Sequence, residues 1–268
     1  MRITRFGSIV TAVLVALLDG CAVTPATPTP VARAELAPTG VLRVAVFTGN
    51  PVIGSLDKSG QPAGTTVILG TELAQSAGVP VKIIGYPAIA KMVEDAKTNV
   101  WDIAVVAYDP ARRSVLDFVP AHMIVDLTYL VAPGSSIRSV AEVDKPGVKV
   151  AAARGAATTL FLERTLKQAA VVQADNEPAA FDMVREGKAQ ALAQNRYMLL
   201  GLAERLPGSR VIDDRFSAAE MSIVLPKGRP AALAYVGEFV EQAKTSGTIA
   251  RAIDSAGLRG VTVAPAAK

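Results

Sequence analysis

Apolar positions between residues 41 and 131 switch repeatedly between two spacings. Residues 41–47 form a β-branched run, and Asp57-Lys58-Ser59-Gly60 marks a turn. Over residues 65–77, Val67, Ile68, Leu69, Leu73 and Ala77 recur at helical spacing and stop at Gly78. Residues 81–84 read as a strand. Residues 87–97 read as a helix with Ile89, Met92, Val93 and Ala96 on one face, and residues 103–107 as a buried strand. This β-α-β-α-β order predicts parallel strands joined by right-handed crossovers.

The turn-rich stretch Ala132-Pro133-Gly134-Ser135-Ser136 ends that unit, and the pattern then repeats. Strands are predicted at 148–153, 171–174 and 189–193, with helices at 155–167, at 176–187 opened by Asn176-Glu177-Pro178, and at 197–206. A further strand at 220–225 precedes helices at 230–245 and 248–256, whose natural partner is the first unit. The predicted fold class is α/β, with two Rossmann-like lobes.

The first residues follow a different rule. Arg2 and Arg5 precede a short apolar run at 9–18 and then Leu18-Asp19-Gly20-Cys21, so residues 1–20 are read as a signal peptide, too short to span a bilayer. The end of that run is similar to a bacterial lipobox, which implies lipidation of Cys21; Asp19 departs from it, and cleavage after Ala32-Arg33-Ala34 is the alternative. Residues 21–38, rich in Pro, Thr and Ala without periodicity, are read as a tether. The remainder is expected to be exported to the periplasm and held at a membrane by the lipid.

Composition narrows the chemistry. With 268 residues, 50% apolar and 19% charged, the chain can bury two cores. A net charge of +4 without a basic run argues against a nucleic-acid partner. One His (His122) and one Cys (Cys21) leave no multi-ligand His/Cys metal site, no internal disulfide and no Cys–His pair. No metal and no cofactor is expected, and His122 is read as a surface or cleft-rim residue.

The stretch 101–129 carries the clearest candidate chemistry. After the strand at 103–107, Tyr108-Asp109-Pro110 forms a sharp turn; Asp109 is suited to cap, and Pro110 to begin, a short helix bearing Arg112 and Arg113. Arg112 then stands just beyond the carboxyl end of a core strand, where open α/β sheets keep their ligand crevices. A guanidinium there is a candidate anion anchor, whereas Arg113 is read as surface.

Several segments in order complete a resemblance: Thr39-Gly40-Val41-Leu42-Arg43-Val44-Ala45-Val46, Trp101-Asp102-Ile103-Ala104, Asp109-Pro110-Ala111-Arg112, Asp117-Phe118, Thr128-Tyr129-Leu130-Val131, residues 139–148 and Pro226-Lys227-Gly228. Over residues 39–265 the chain resembles family 3 extracellular solute-binding proteins, the receptors of ABC importers. The resemblance implies a periplasmic-binding-protein type 2 fold. Lobe 1 would comprise residues 39–128 and 222–268 and lobe 2 residues 129–221, with crossings near 128–131 and 221–224. It also implies a small polar ligand, a permease partner in the inner membrane, a monomer, no catalysis, and hinge closure over the ligand.

By the same resemblance Arg112 pairs with a ligand carboxylate, and the start of the second-lobe helix at Gly155, Ala156, Ala157 and Thr158 meets the same group. Free amides there suit an anion, but alanines replace the hydroxyl residues common at this point. Asn195 takes the place usually held by an Asp that neutralises an ammonium; an Asn accepts a hydrogen bond without supplying charge. The backbone at Val105, Val106 and Ala107 is expected to offer an edge to the ligand, with Tyr108 as a wall and Asn50 reaching in from the first loop. Tyr86 is either a wall of the cleft or a core tyrosine. Trp101, Phe118, Phe161 and Phe181 are assigned to the core. Two other readings stay open: a dehydratase similar to cyclohexadienyl dehydratases, with Glu163 or Asp109 as acid, and a ligand-sensing receptor.

Overall fold

The structure, a computed structural model, describes residues 27–267. The signal peptide and Cys21 lie outside the described residues. Among the described residues no helix is long and apolar enough to cross a membrane.

Part of the stretch read as a tether is folded. Pro30–Leu36 forms helix α1, with the Thr29 hydroxyl accepting from the Ala32 amide at 3.1 Å and Pro30 in the first turn. Leu36 and Ala32 are buried in the first core, and the Glu35 carboxylate accepts from the Ala231 and Ala232 amides at 2.8 and 3.0 Å. The Pro/Thr/Ala composition suggested an extended linker; the cap and the docking of α1 against a distant helix overrule it.

Chain order then gives β1 (Leu42–Phe47), the short hairpin β2 (Ser55–Leu56) and β3 (Pro62–Ala63), α2 (Thr65–Ala77), β4 (Val81–Tyr86), α3 (Ile89–Asp95), β5 (Ile103–Ala107), β6 (Leu116–Phe118) and β7 (Met123–Val131). Next come β8 (Lys149–Ala153), α4 (Ala157–Thr165), β9 (Ala170–Ala174), α5 (Glu177–Arg185), β10 (Ala191–Asn195), α6 (Arg196–Glu204), β11 (Arg210–Val211) and β12 (Ser217–Pro226). The chain closes with α7 (Pro230–Thr245), α8 (Thr248–Ser255) and β13 (Val261–Val263). Helix α2 keeps its predicted bounds because Gly78 adopts φ 64 at its end, a left-handed conformation in which its amide bonds back to Ala74 and Gln75.

One sheet runs through both lobes in the order β4-β1-β5-β12-β7-β10-β8-β9. In lobe 1, β1 is parallel to β4 and β5; in lobe 2, β8 is parallel to β9 and β10. Strands β7 and β12 are antiparallel to each other and carry the chain between the lobes. One core gathers Met123 and Val125 of β7 with Met221, Ile223 and Val224 of β12; two others, one on each face of the second lobe's sheet, take Tyr129 with Val131, and Leu130. The passage between cores therefore falls at residues 126–128 and 217–218.

Lobe 1 is stiffened by a buried carboxylate. Asp102 accepts from Arg43 through its backbone N, Nε and one Nη (2.9, 2.8 and 2.7 Å), and from Arg229 at 2.9 Å, fastening β1 and the start of β5 to the start of α7. Two guanidinium partners offset the cost of taking that charge out of water.

Candidate functional site

Arg112 sits in a single 3₁₀ stretch, Pro110–Ser114, which begins as the sequence predicts: the Asp109 carboxylate accepts from the Ala111 amide at 2.8 Å and Pro110 opens the turn. The turn folds the side chain inward. It is only 6% exposed, donates from one Nη to Ala107 O at 2.8 Å, and from the other to Gly155 O of lobe 2 at 3.0 Å. Burial pushes its pKa down to about 10, against the pull of nearby Asp109, so the group stays cationic at neutral pH. Arg113 is exposed.

Arg112 opens into a small cavity between the lobes. Lobe 1 contributes Phe47, Asn50 and Ala107; lobe 2 contributes Ala156, Thr158 and Asn195. Gly155 stands at φ +72, where only a glycine is unstrained, and this conformation turns its carbonyl to Arg112. The first intrahelical bond of α4 runs from Leu160 N to Ala156 O. The amides of Ala157, Thr158 and Thr159 are thus left without intrahelical acceptors at the positive end of the helix.

Among the described residues, three polar side-chain contacts bridge the lobes across the cleft, away from the crossing strands. Besides Arg112 to Gly155, Asn195 donates from Nδ2 to Asn50 Oδ1 at 3.2 Å, and Arg164 of α4 pairs with Asp109 at 2.8 Å. Both ends of the Asn195 amide are engaged: its Oδ1 caps α6 by accepting from Met198 N at 2.9 Å, and its Nδ2 also reaches Gln194 Oε1. Asn50 accepts in turn from Val52 N, which pins the first loop.

The model of the bacterial extracellular solute-binding proteins, family 3, matches residues 42–256. The chain belongs to this family. This solute-binding protein is 24% identical over 145 residues to the ABC transporter glutamine-binding protein GlnH of Bacillus subtilis (strain 168), covering 54% of this chain and 53% of that one. It is 27% identical over 115 residues to a glutamine-binding protein of Geobacillus stearothermophilus, covering 43% and 44%. The chain thus spans about half the length of the curated relatives it matches. Among solved structures, the solute receptor for L-cysteine of Neisseria gonorrhoeae superposes with TM-score 0.73 at 23% identity, over 85% of this chain and 94% of that one. An ancestral amino-acid-binding protein, described as a precursor of cyclohexadienyl dehydratase, superposes with TM-score 0.70 at 25% identity, over 83% and 97%.

In this solute-binding protein some predicted residues stand elsewhere. Tyr86 packs in the lobe 1 core, 7% exposed, and its hydroxyl donates to Asp95 at 3.1 Å; burial first, and then this bond, hold the phenol's pKa up at about 12. Strand β5 is no edge, because β12 pairs with it as Val105 to Ile223, Val106 to Ser222 and Ala107 to Met221. Val106 is therefore a core residue, and only Ala107 reaches the cavity. Tyr108 is 40% exposed, meets Phe118 edge-on at 5.2 Å, and lines a neighbouring hollow with Asp109 and Arg164. His122 is fully buried instead of lying at a rim.

Other residues at the cavity were not foreseen. Gln194, Met221 and Glu177 line it, and Glu177 is, with Arg112, one of its two charged side chains. The sequence marks Asn176-Glu177-Pro178 as a capped helix start, and the Asn176 side chain does accept from Ala179 N at 2.9 Å. The available signal was topological: Glu177, like Arg112, follows directly on the end of a parallel strand.

Proposed function

We propose that this protein is the substrate-binding component of an ABC importer, which captures a small carboxylate-bearing metabolite, an amino acid or a related acid, by closing two lobes over it. The observation that carries this reading is Arg112: a buried guanidinium at the floor of an interlobe cavity, bonded to both lobes, with unpaired donors and the open amides of α4 beside it. Two similar sequences are named for glutamine and one similar solved structure for L-cysteine, which is the class of ligand proposed. Residues 126–128 and 217–218 serve as the hinge, and the three contacts across the cleft belong to the closed form that a ligand stabilises.

Binding needs no chemical step in this reading. The carboxylates weighed for dehydratase chemistry support none: Glu163 is exposed and accepts from Gln173, while Asp109 is taken up by Arg164 and its own cap. The test is a thermal-shift screen over amino acids, 2-oxo acids and small dicarboxylates, since a ligand of the folded state raises Tm by mass action. Stabilisation by a carboxylate-bearing compound is expected; steady consumption of prephenate would replace the binding reading with an enzymatic one. Export to the periplasm, lipid attachment at Cys21 and delivery to a permease complete the proposal, and release of a Cys21→Ser variant from membranes checks the anchor.

A further inference from the structure

The cavity holds two charged side chains of opposite sign, and only one is accounted for. Glu177 is the first residue of α5 in lobe 2 and projects toward lobe 1: a Cβ built on Gly49 would lie 3.5 Å from its Oε2. Among the described residues it makes no ion pair, and no other side chain hydrogen-bonds to it. Arg112 is the other charged side chain facing it across the cavity, and the hollow behind it, lined by Ala180, Leu192 and Met198, contains no further charge. Arg154 and Asp175, close in space or sequence, are exposed and paired with each other at 3.4 Å. Glu177 is half-buried, and its carboxylate accepts only from its own backbone amide at the positive end of α5, so its remaining acceptor capacity faces the cavity.

We infer that Glu177 receives a cationic group of the ligand, so that the cavity selects a molecule with a carboxylate for Arg112 and an ammonium or guanidinium for Glu177. This assignment rests on the carboxylate reading of Arg112. It also explains how Asn195, which brings no charge, can stand in a site for zwitterions: the negative charge comes from α5 instead. Desolvation raises the Glu177 pKa, against the pull of its own backbone amide. A bound cation lowers it again, and ligand affinity then falls as pH drops and the carboxyl protonates.

The test is calorimetric titration of the whole protein with the common L-amino acids and with their 2-oxo acids and succinate, repeated on E177Q, E177D and R112A. The strongest binder is expected to carry a cation, with affinity reduced about tenfold or more in E177Q, less in E177D, and weakening on acidification in the wild type and E177D but not in E177Q. A cation-bearing ligand with unchanged affinity in E177Q and no such pH dependence overturns the inference, as does preference for the 2-oxo acids or succinate; in both cases the carboxylate reading survives through loss of binding in R112A. Failure of every carboxylate to bind removes that reading, and this inference with it. The wild-type pH profile decides the matter if E177Q does not fold.

Discussion

Replacing Arg112 by alanine removes three things at once. The guanidinium bonds Ala107 O at 2.8 Å and Gly155 O at 3.0 Å, and it is the positive charge at the floor of the cavity. A ligand carboxylate that loses a buried, hydrogen-bonded charge partner loses roughly 2–5 kcal/mol. At about 1.4 kcal/mol per decade this corresponds to an affinity loss of roughly 30-fold to 4,000-fold. Folded stability should change less: orphaning the Ala107 carbonyl costs about 1–3 kcal/mol, but a charge desolvated enough to lower its own pKa to about 10 is removed with it. Lysine at this position keeps the charge without the planar fork and should recover only part of the affinity. Calorimetry on R112A, R112K and R113A, with the best ligand from the screen, separates these effects. R113A, altered at an exposed side chain, should bind like wild type. An R112A affinity within about threefold of wild type would refute the assignment, because a difference below about 0.7 kcal/mol is too small for a lost buried ion pair.

Arg164→Ala breaks the Asp109–Arg164 contact between lobes; because Arg164 is 47% exposed and screened, affinity should weaken only severalfold, which titration of the variant would register. Glu35→Ala leaves the Ala231 and Ala232 amides at the start of α7 without their acceptor, costing about 1–2 kcal/mol and lowering Tm by roughly 2–8 °C in calorimetric scans. His122, with both ring nitrogens buried and unpartnered, has its pKa pushed down to about 3, first by desolvation and then by nearby Lys244. Because the folded value lies below the ordinary 6.5, its contribution is complete above pH 6.5 and drains away as pH falls toward 3, at up to about 1.4 kcal/mol per pH unit. His122→Leu should flatten urea-unfolding stability across that window, and an unchanged slope would assign the acid sensitivity elsewhere.

Local chemistry was legible where its signal was local. Gly78 marks the end of α2, Pro230 the start of α7, and Asp109-Pro110 the turn that buries Arg112, and each acts within a few residues of where it stands. Thr29-Pro30 carried the same kind of signal for α1, but the surrounding Pro/Thr/Ala composition obscured it, and the docking that stabilises α1 comes from residues some two hundred positions later. What could not be read is which faces meet. Strand β12 inserts beside β5 from more than a hundred residues away and turns an expected edge into an interior strand. Tyr86 points into the core because β4 is the outermost strand of lobe 1 and α3 folds over it to offer Asp95. Glu177 was correctly placed at a helix start, but its access to the cavity depends on how closely lobe 2 approaches Gly49. The position of the crossings likewise follows from where β7 passes from one core to the next, between Val125 and Tyr129.

The central claim is capture of a carboxylate by closure of the two lobes around Arg112. Small-angle X-ray scattering of the protein, alone and saturated with the best ligand from the screen, tests it most directly. A ligand-induced decrease in radius of gyration that disappears in R112A is the result expected. Identical scattering with and without a bound ligand, or the same contraction in R112A, would contradict it.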